Sequence, residues 1–146
     1  MKKALSLMLL LAALLTAHSA SAQNPNYNPG PVWRVTYYSI KPGQGDVFWK
    51  DIRENFKPIY DELKKAGMIT DYRFYTNPVT DHPNDWDVAL AVSIPNWAAI
   101  DELDAKAATI AAKHYGSRDA MIEAGKKRAE FRDVIASHLA REVILK

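Results

Sequence analysis

Imidazole is the side chain best suited to ligate a metal or move a proton near neutral pH, and beyond residue 22 the chain carries three: His82, His114 and His138. None has the i, i+4 or H-x-H spacing of a metal pair, so no metal site is expected. His114 is the candidate of the three. It falls on the apolar stripe of a helix-forming segment, where an imidazole can ligate haem or work as an acid–base group. A lone histidine at a helix end also has a plainer use, to favour the dipole or hydrogen-bond locally. His82 stands in Asp81-His82-Pro83-Asn84-Asp85, whose residues suit a solvated turn; calcium needs a denser, regularly spaced ligand set.

The aromatic residues say more as a group. Trp33, Tyr37, Tyr38, Trp49, Phe56, Tyr60, Tyr72, Phe74, Tyr75, Trp86 and Trp97 come from segments that must meet between a sheet and a helix layer, where most are core. If the small residues Ala89, Ala91 and Ser93 face the helices, they leave a cleft lined by Trp49, Phe56 and Tyr72, with His114 near its rim. Such a cleft suits a small apolar or aromatic molecule. Arg34, Arg73 and Arg141 are expected as interface ion-pair formers. G-x-S-x-G, H-E-x-x-H and phosphate-loop patterns are missing, and with no cysteine there is no thiol nucleophile, zinc–thiolate site or disulfide framework.

The elements that hold these residues follow from pattern. Val32–Ile40, rich in β-branched and aromatic residues, reads as a first strand that stops at Lys41-Pro42-Gly43. A helix capped by Asp46 places Trp49, Ile52, Phe56, Ile59 or Tyr60, and Leu63 on one stripe, bends at Pro58 and stops at Gly67. Ile69–Thr76 and Asp87–Ile94 form a hairpin, and the second of these alternates large and small residues, as a central strand without a solvent face does. Asn96 caps a second helix ending at Gly116. Ser117 starts a third, whose apolar positions Met121, Ala124, Phe131 and Ile135 are interrupted by Arg128. Leu139–Leu145 is expected as a short last strand. The order is β-α-β-β-α-α-β, an α+β, ferredoxin-like arrangement whose four-stranded antiparallel sheet has its first and third strands in the centre. Helices cover one sheet face. The other is apolar and bare, which predicts pairing with a second copy.

Residues 1–22 read as a signal peptide: Lys2-Lys3, an apolar run from Leu5 to Leu15, and Ala20-Ser21-Ala22 as the cleavage site. The run is shorter than the roughly 20 residues needed to span a bilayer, and no cysteine offers a lipid anchor, so an exported protein without a membrane anchor, periplasmic or secreted, is expected. Residues 23–31, rich in Pro, Gly and Asn, read as a flexible leader, and 32–146 as one domain. The signal holds two of the nineteen basic residues, leaving seventeen against seventeen acidic ones. Acids and bases are interspersed, so neither nucleic acid nor an anionic membrane surface is an expected partner.

Three segments carry a resemblance: the strand and Pro-Gly turn at Val32–Gly43, the helix end Lys57-Pro58-Ile59-Tyr60-Asp61-Glu62-Leu63-Lys64-Lys65-Ala66-Gly67, and the hairpin return Asp85-Trp86-Asp87-Val88-Ala89-Leu90. Over Val32–Leu145 the chain resembles the dimeric α/β-barrel superfamily, whose ferredoxin-like subunits pair their sheets face to face. The resemblance implies a homodimer through the sheet face. It does not choose an activity, because that superfamily includes cofactor-free monooxygenases, haem-dependent enzymes and proteins without assigned chemistry. The leading expectation is an exported homodimer that holds a small apolar or aromatic molecule without a cofactor. A monooxygenase-like or haem-dependent enzyme using Tyr72, Trp49 and His114, and a non-catalytic cell-envelope interaction protein, are the alternatives.

Overall fold

The computed structural model describes residues 26–79, 81–82 and 85–146. The signal expected over 1–22 and the start of the leader, 23–25, lie outside them. Pro29–Val143 make the main body; residues 26–28 and 144–146 belong to a separate small unit, in which Lys146 N donates to the Asn26 carbonyl at 3.2 Å.

Strand β1 (Tyr27–Ile40) begins inside the segment expected as a leader. Proline's fixed φ suits extended backbone, so Pro29 and Pro31 do not prevent the strand from starting early. Gly30 has a further use: a Cβ there would stand 3.0 Å from Cβ of Glu142, so its missing side chain admits that residue.

The first helix is interrupted. It runs as α1 (Gly45–Asp51), a π turn (Ile52–Phe56) and α2 (Lys57–Lys65). Pro58 cannot donate to the carbonyl four residues back and its ring crowds that carbonyl; the wide turn just ahead absorbs both faults. Asp46 is not the cap. The helix starts at Gly45, and Asp46 lies in its first turn, where its charge favours the dipole. Phe48, rather than Trp49, is the residue buried completely. Gly67, with φ +70°, makes the expected stop.

Strands β2 (Asp71–Thr76) and β3 (Val88–Ile94) complete the hairpin. Asn96 Oδ1 accepts from Ala99 N at 3.1 Å at the start of α3 (Ala98–Tyr115), which ends at Gly116 with φ +85°. Ser117 Oγ accepts from Ala120 N at 3.0 Å, as a cap for α4 (Arg118–Lys127). The expected continuation of this helix to Ile135 does not occur. A 3₁₀ turn (Arg128–Glu130) follows, and β4 (Arg132–Leu145) is 14 residues long. Two bonds tie the turn to the end of β1, from Lys41 Nζ to Ala129 O and from Lys41 N to Phe131 O, and the β-branched pair Val134-Ile135 then favours extended backbone.

The strand order is β2-β3-β1-β4, with β3 antiparallel to both neighbours and Val35 opposite Ala91. The fold is α+β and ferredoxin-like, with a four-stranded antiparallel sheet. Val88, Leu90, Val92 and Ile94 of β3 meet Phe48, Ile52, Leu63 and Leu103 in the core. The large side chains of β3 therefore face the helices, where they bury the most apolar surface, and Ala89, Ala91 and Ser93 look the other way. This reverses the orientation on which the expected cleft depended.

Candidate functional site

Trp49, Phe56 and Tyr72 stand on the helix side and share one series of ring contacts. Trp49 meets Phe74 at 6.3 Å, Phe74 meets Tyr72 at 6.4 Å, Tyr72 meets Tyr60 at 5.3 Å, and Tyr60 meets Phe56 at 5.9 Å. With the small face of β3 turned away, these rings pack on one another. Tyr72 Oη donates to Asp61 Oδ1 at 2.7 Å; burial, and then this bond, push its pKa up to about 12. The bond from Lys57, and then that from Tyr72, hold the Asp61 carboxyl below its ordinary range. His114 stands apart: it is exposed, and its Nε2 lies 3.0 Å from Asn55 Oδ1. It borders a shallow depression with Pro58, Glu62, Lys65 and Lys113. With Nε2 engaged by Asn55 and charged residues around it, this histidine does not fit a haem placed against the aromatic series.

An apolar groove of about 440 Å³ opens between the helices instead. Phe56, Ile59, Tyr60 and Leu63 form one wall, Ala107, Ala108 and Ala111 of α3 another, and Met121, Ile122 and Gly125 of α4 a third. Its lining also includes Tyr115 and Arg128. The alanines matter here, because side chains of one carbon leave the space that larger ones would fill. Arg128 is held by Asp51, with Nε 2.7 Å from Oδ2 and Nη2 3.2 Å from Oδ1, and it donates to the Tyr115 hydroxyl. Burial, the largest single influence, works against its charge, yet Asp51 and Tyr115 together outweigh it and raise its pKa.

Arg132 lies close behind. Its guanidinium sits 4.3 Å from the centre of the Tyr38 ring and 4.9 Å from that of Phe56, while the Arg128 guanidinium is 4.8 Å from the same Phe56 ring. Arg132 is 9% exposed and its Nη1 has no hydrogen-bond partner among the described residues. Burial, its largest influence, lowers its pKa. Burial likewise raises that of Tyr38, against the opposing charge of Arg132.

Sequence reasoning missed this pair of arginines, although one carries a signal. Arg128 interrupts an otherwise apolar helical stripe, and a charge at an inward position needs a buried partner. Arg132 carries none, because Phe131 and Ile135 fit helical spacing around it.

The sheet face turned away from the helices, which none of the described helices covers, has its own depression, of about 380 Å³, lined by Trp33, Val35, Tyr37, Arg73, Tyr75, Trp86, Ala89 and Ala91. Tyr37 packs edge-on against Trp86 at 5.4 Å and against His138 at 6.0 Å, and Arg73 lies 5.8 Å from the centre of the Trp33 ring. Of the arginines expected in ion pairs, Arg34 binds Asp104 at 2.7 Å and Arg73 binds Asp71 at 3.1 Å, both within the chain, while Arg141 donates to the Gly30 carbonyl. His82, in the hairpin loop, accepts from Asp85 N at 2.9 Å through its carbonyl. Among the described residues no cluster of acids and histidines is arranged to hold a metal, and no helix is long and apolar enough to cross a membrane.

No family model and no curated protein matches the chain. Among solved structures it is similar to HapK from Hahella chejuensis, with 9% identity over 76% of this chain and 91% of that one at a TM-score of 0.49. A dimeric ferredoxin-like protein from an uncultured marine organism is 11% identical over 82% of this chain and 98% of that one, also at 0.49. A dimeric protein of unknown function and ferredoxin-like fold from Bacteroides fragilis is 16% identical over 79% and 95%, at 0.38.

Proposed function

We propose that the chain is an exported homodimer that binds a small, largely apolar or aromatic molecule in the groove between its helices. The groove carries the reading. Its volume lies in the range of small-molecule sites, its walls are aliphatic and aromatic, and Arg128 and Tyr115 supply polar groups to orient a guest. Pairing of two copies is supported by the sheet face turned away from the helices, where Trp33, Val35, Tyr37, Tyr75 and Trp86 line an apolar depression. The pattern of residues 1–22 supports export.

Residues 23–146 titrated with planar aromatic compounds test the binding. A guest at a hundred times its Kd stabilises the fold by about 2.7 kcal/mol, which a thermal-shift measurement reads directly. Ala111→Trp fills the groove and is expected to abolish that shift. If no compound raises the melting temperature, or the filled variant responds like the parent, the binding reading fails. Light scattering at micromolar concentration is expected to give twice the chain mass; a folded monomer would refute the pairing.

A further inference from the structure

We infer that the molecule taken up by the groove is a monocarboxylate with an apolar body, and that Arg132, seconded by Arg128, reads its carboxylate. The inference rests on the groove being a binding site. It starts from a charge imbalance. Arg128 and Arg132 stand against the same Phe56 ring, and the carboxylate beside them, Asp51, is committed to Arg128 through both its oxygens. Around Arg132 the structure places the ring of Phe56 and Tyr38, whose hydroxyl is hydrogen-bonded to the guanidinium; both are neutral, the Asp51 charge that acts on Arg132 is already bonded to Arg128, and Nη1 has no partner among the described residues. A guanidinium taken out of water with an unmatched N–H is costly, and the deficit is made good by an anion.

The chemistry of the anion follows from the site. One surplus positive charge matches one negative charge, and a planar guanidinium fork matches a planar carboxylate through paired hydrogen bonds. The groove takes the rest of the molecule. Phe56 joins the two parts, since it lines the groove and touches both guanidinium groups. It also stands at the end of the π turn, a rare helical irregularity that recurs at functional sites, so the ring between guest and Arg132 rides on the least regular turn of its helix. For a carboxylate to reach Nη1, that ring must turn aside.

The test compares aryl carboxylates, from benzoate to biphenyl-4-carboxylate, with their neutral primary amides. Calorimetry on residues 23–146 at low salt supplies the affinities. A hydrogen-bonded charge pair predicts that carboxylates bind at least about tenfold more tightly than the matching amides. In Arg132→Met the preference is expected to fall to about onefold while amide binding persists. Equal affinity of acid and amide for the parent protein would overturn the inference and leave the groove reading intact. Binding of neither series would overturn both. A preference that survives in Arg132→Met would remove Arg132 as its source. The comparison on the parent protein needs no variant, so a misfolded Arg132→Met leaves it decisive.

Discussion

The two faces of the sheet use the same strands to opposite ends. On the helix side, Val88, Leu90, Val92 and Ile94 of β3 lock into Phe48, Ile52, Leu63 and Leu103. On the bare side the same strand presents Ala89 and Ala91, which are hidden by the tall side chains of neighbouring strands, Trp33, Tyr37 and Tyr75 among them, with Trp86 beside them. Every residue of β3 is thus buried, but among the described residues only one of its faces is covered by another layer. The contrast teaches that low exposure has two sources. A large side chain is buried by an opposing element, whereas a small one can be shaded by its own sheet, and only the first kind contributes a packed core.

That contrast can be broken from either side. The largest loss is expected from Phe48→Ala, which empties a fully buried ring site and costs about 4 kcal/mol in denaturant unfolding. Asp51→Ala removes the partner of a largely buried guanidinium, which places the loss at about 3 kcal/mol; Asp51→Asn, keeping a hydrogen-bond acceptor, is expected to lose less.

The helix side should also fail first in alkali. Tyr38 and Tyr72 hold their protons more tightly folded than unfolded, for burial raises both pKa values above the ordinary 10.0. Both contributions are intact below pH 10 and are lost as pH rises above it, that of Tyr72 as pH approaches about 12. Unfolding in that window should coincide with tyrosinate absorbance, and a melting temperature flat across it would contradict the sign. The smallest effect on the protomer is expected on the bare face. Val35→Lys, opposite Ala91 in the sheet, should change protomer stability by about 0.5 kcal/mol and yet convert the proposed dimer to a monomer by light scattering.

How much of this the sequence could show depends on what each pattern encodes. A period of two sorts the residues of β3 into two sets, but nothing in the period says which set meets the helices. The helices and their ends were legible where a local group decides them, at Asn96, Gly116 and Ser117. The end of α4 was not, because Phe131 and Ile135 obey helical spacing while contacts from Lys41, some ninety residues away in sequence, turn the chain into β4. Of the residues expected at a site, Trp49, Phe56 and Tyr72 do gather, since aromatic density reports a shared layer. The helical stripe that carries His114 says where a residue lies around the axis, and not how far it stands from the sheet.

The π turn before Pro58 behaves as a spliced-in residue. A wide turn carries one residue more than an α turn while keeping the flanking segments in phase, so it acts as a spacer that the core does not register. Removing Glu54 together with Pro58→Ala should then let α1 and α2 fuse into one regular helix, with Phe48 and Leu63 still directed at the sheet. Phe56 alone would lose its station between the two arginines. Architecture and the recognition proposed for the groove would come apart at two codons, which makes this helix a place where a relative could keep the fold and change the lining of that groove.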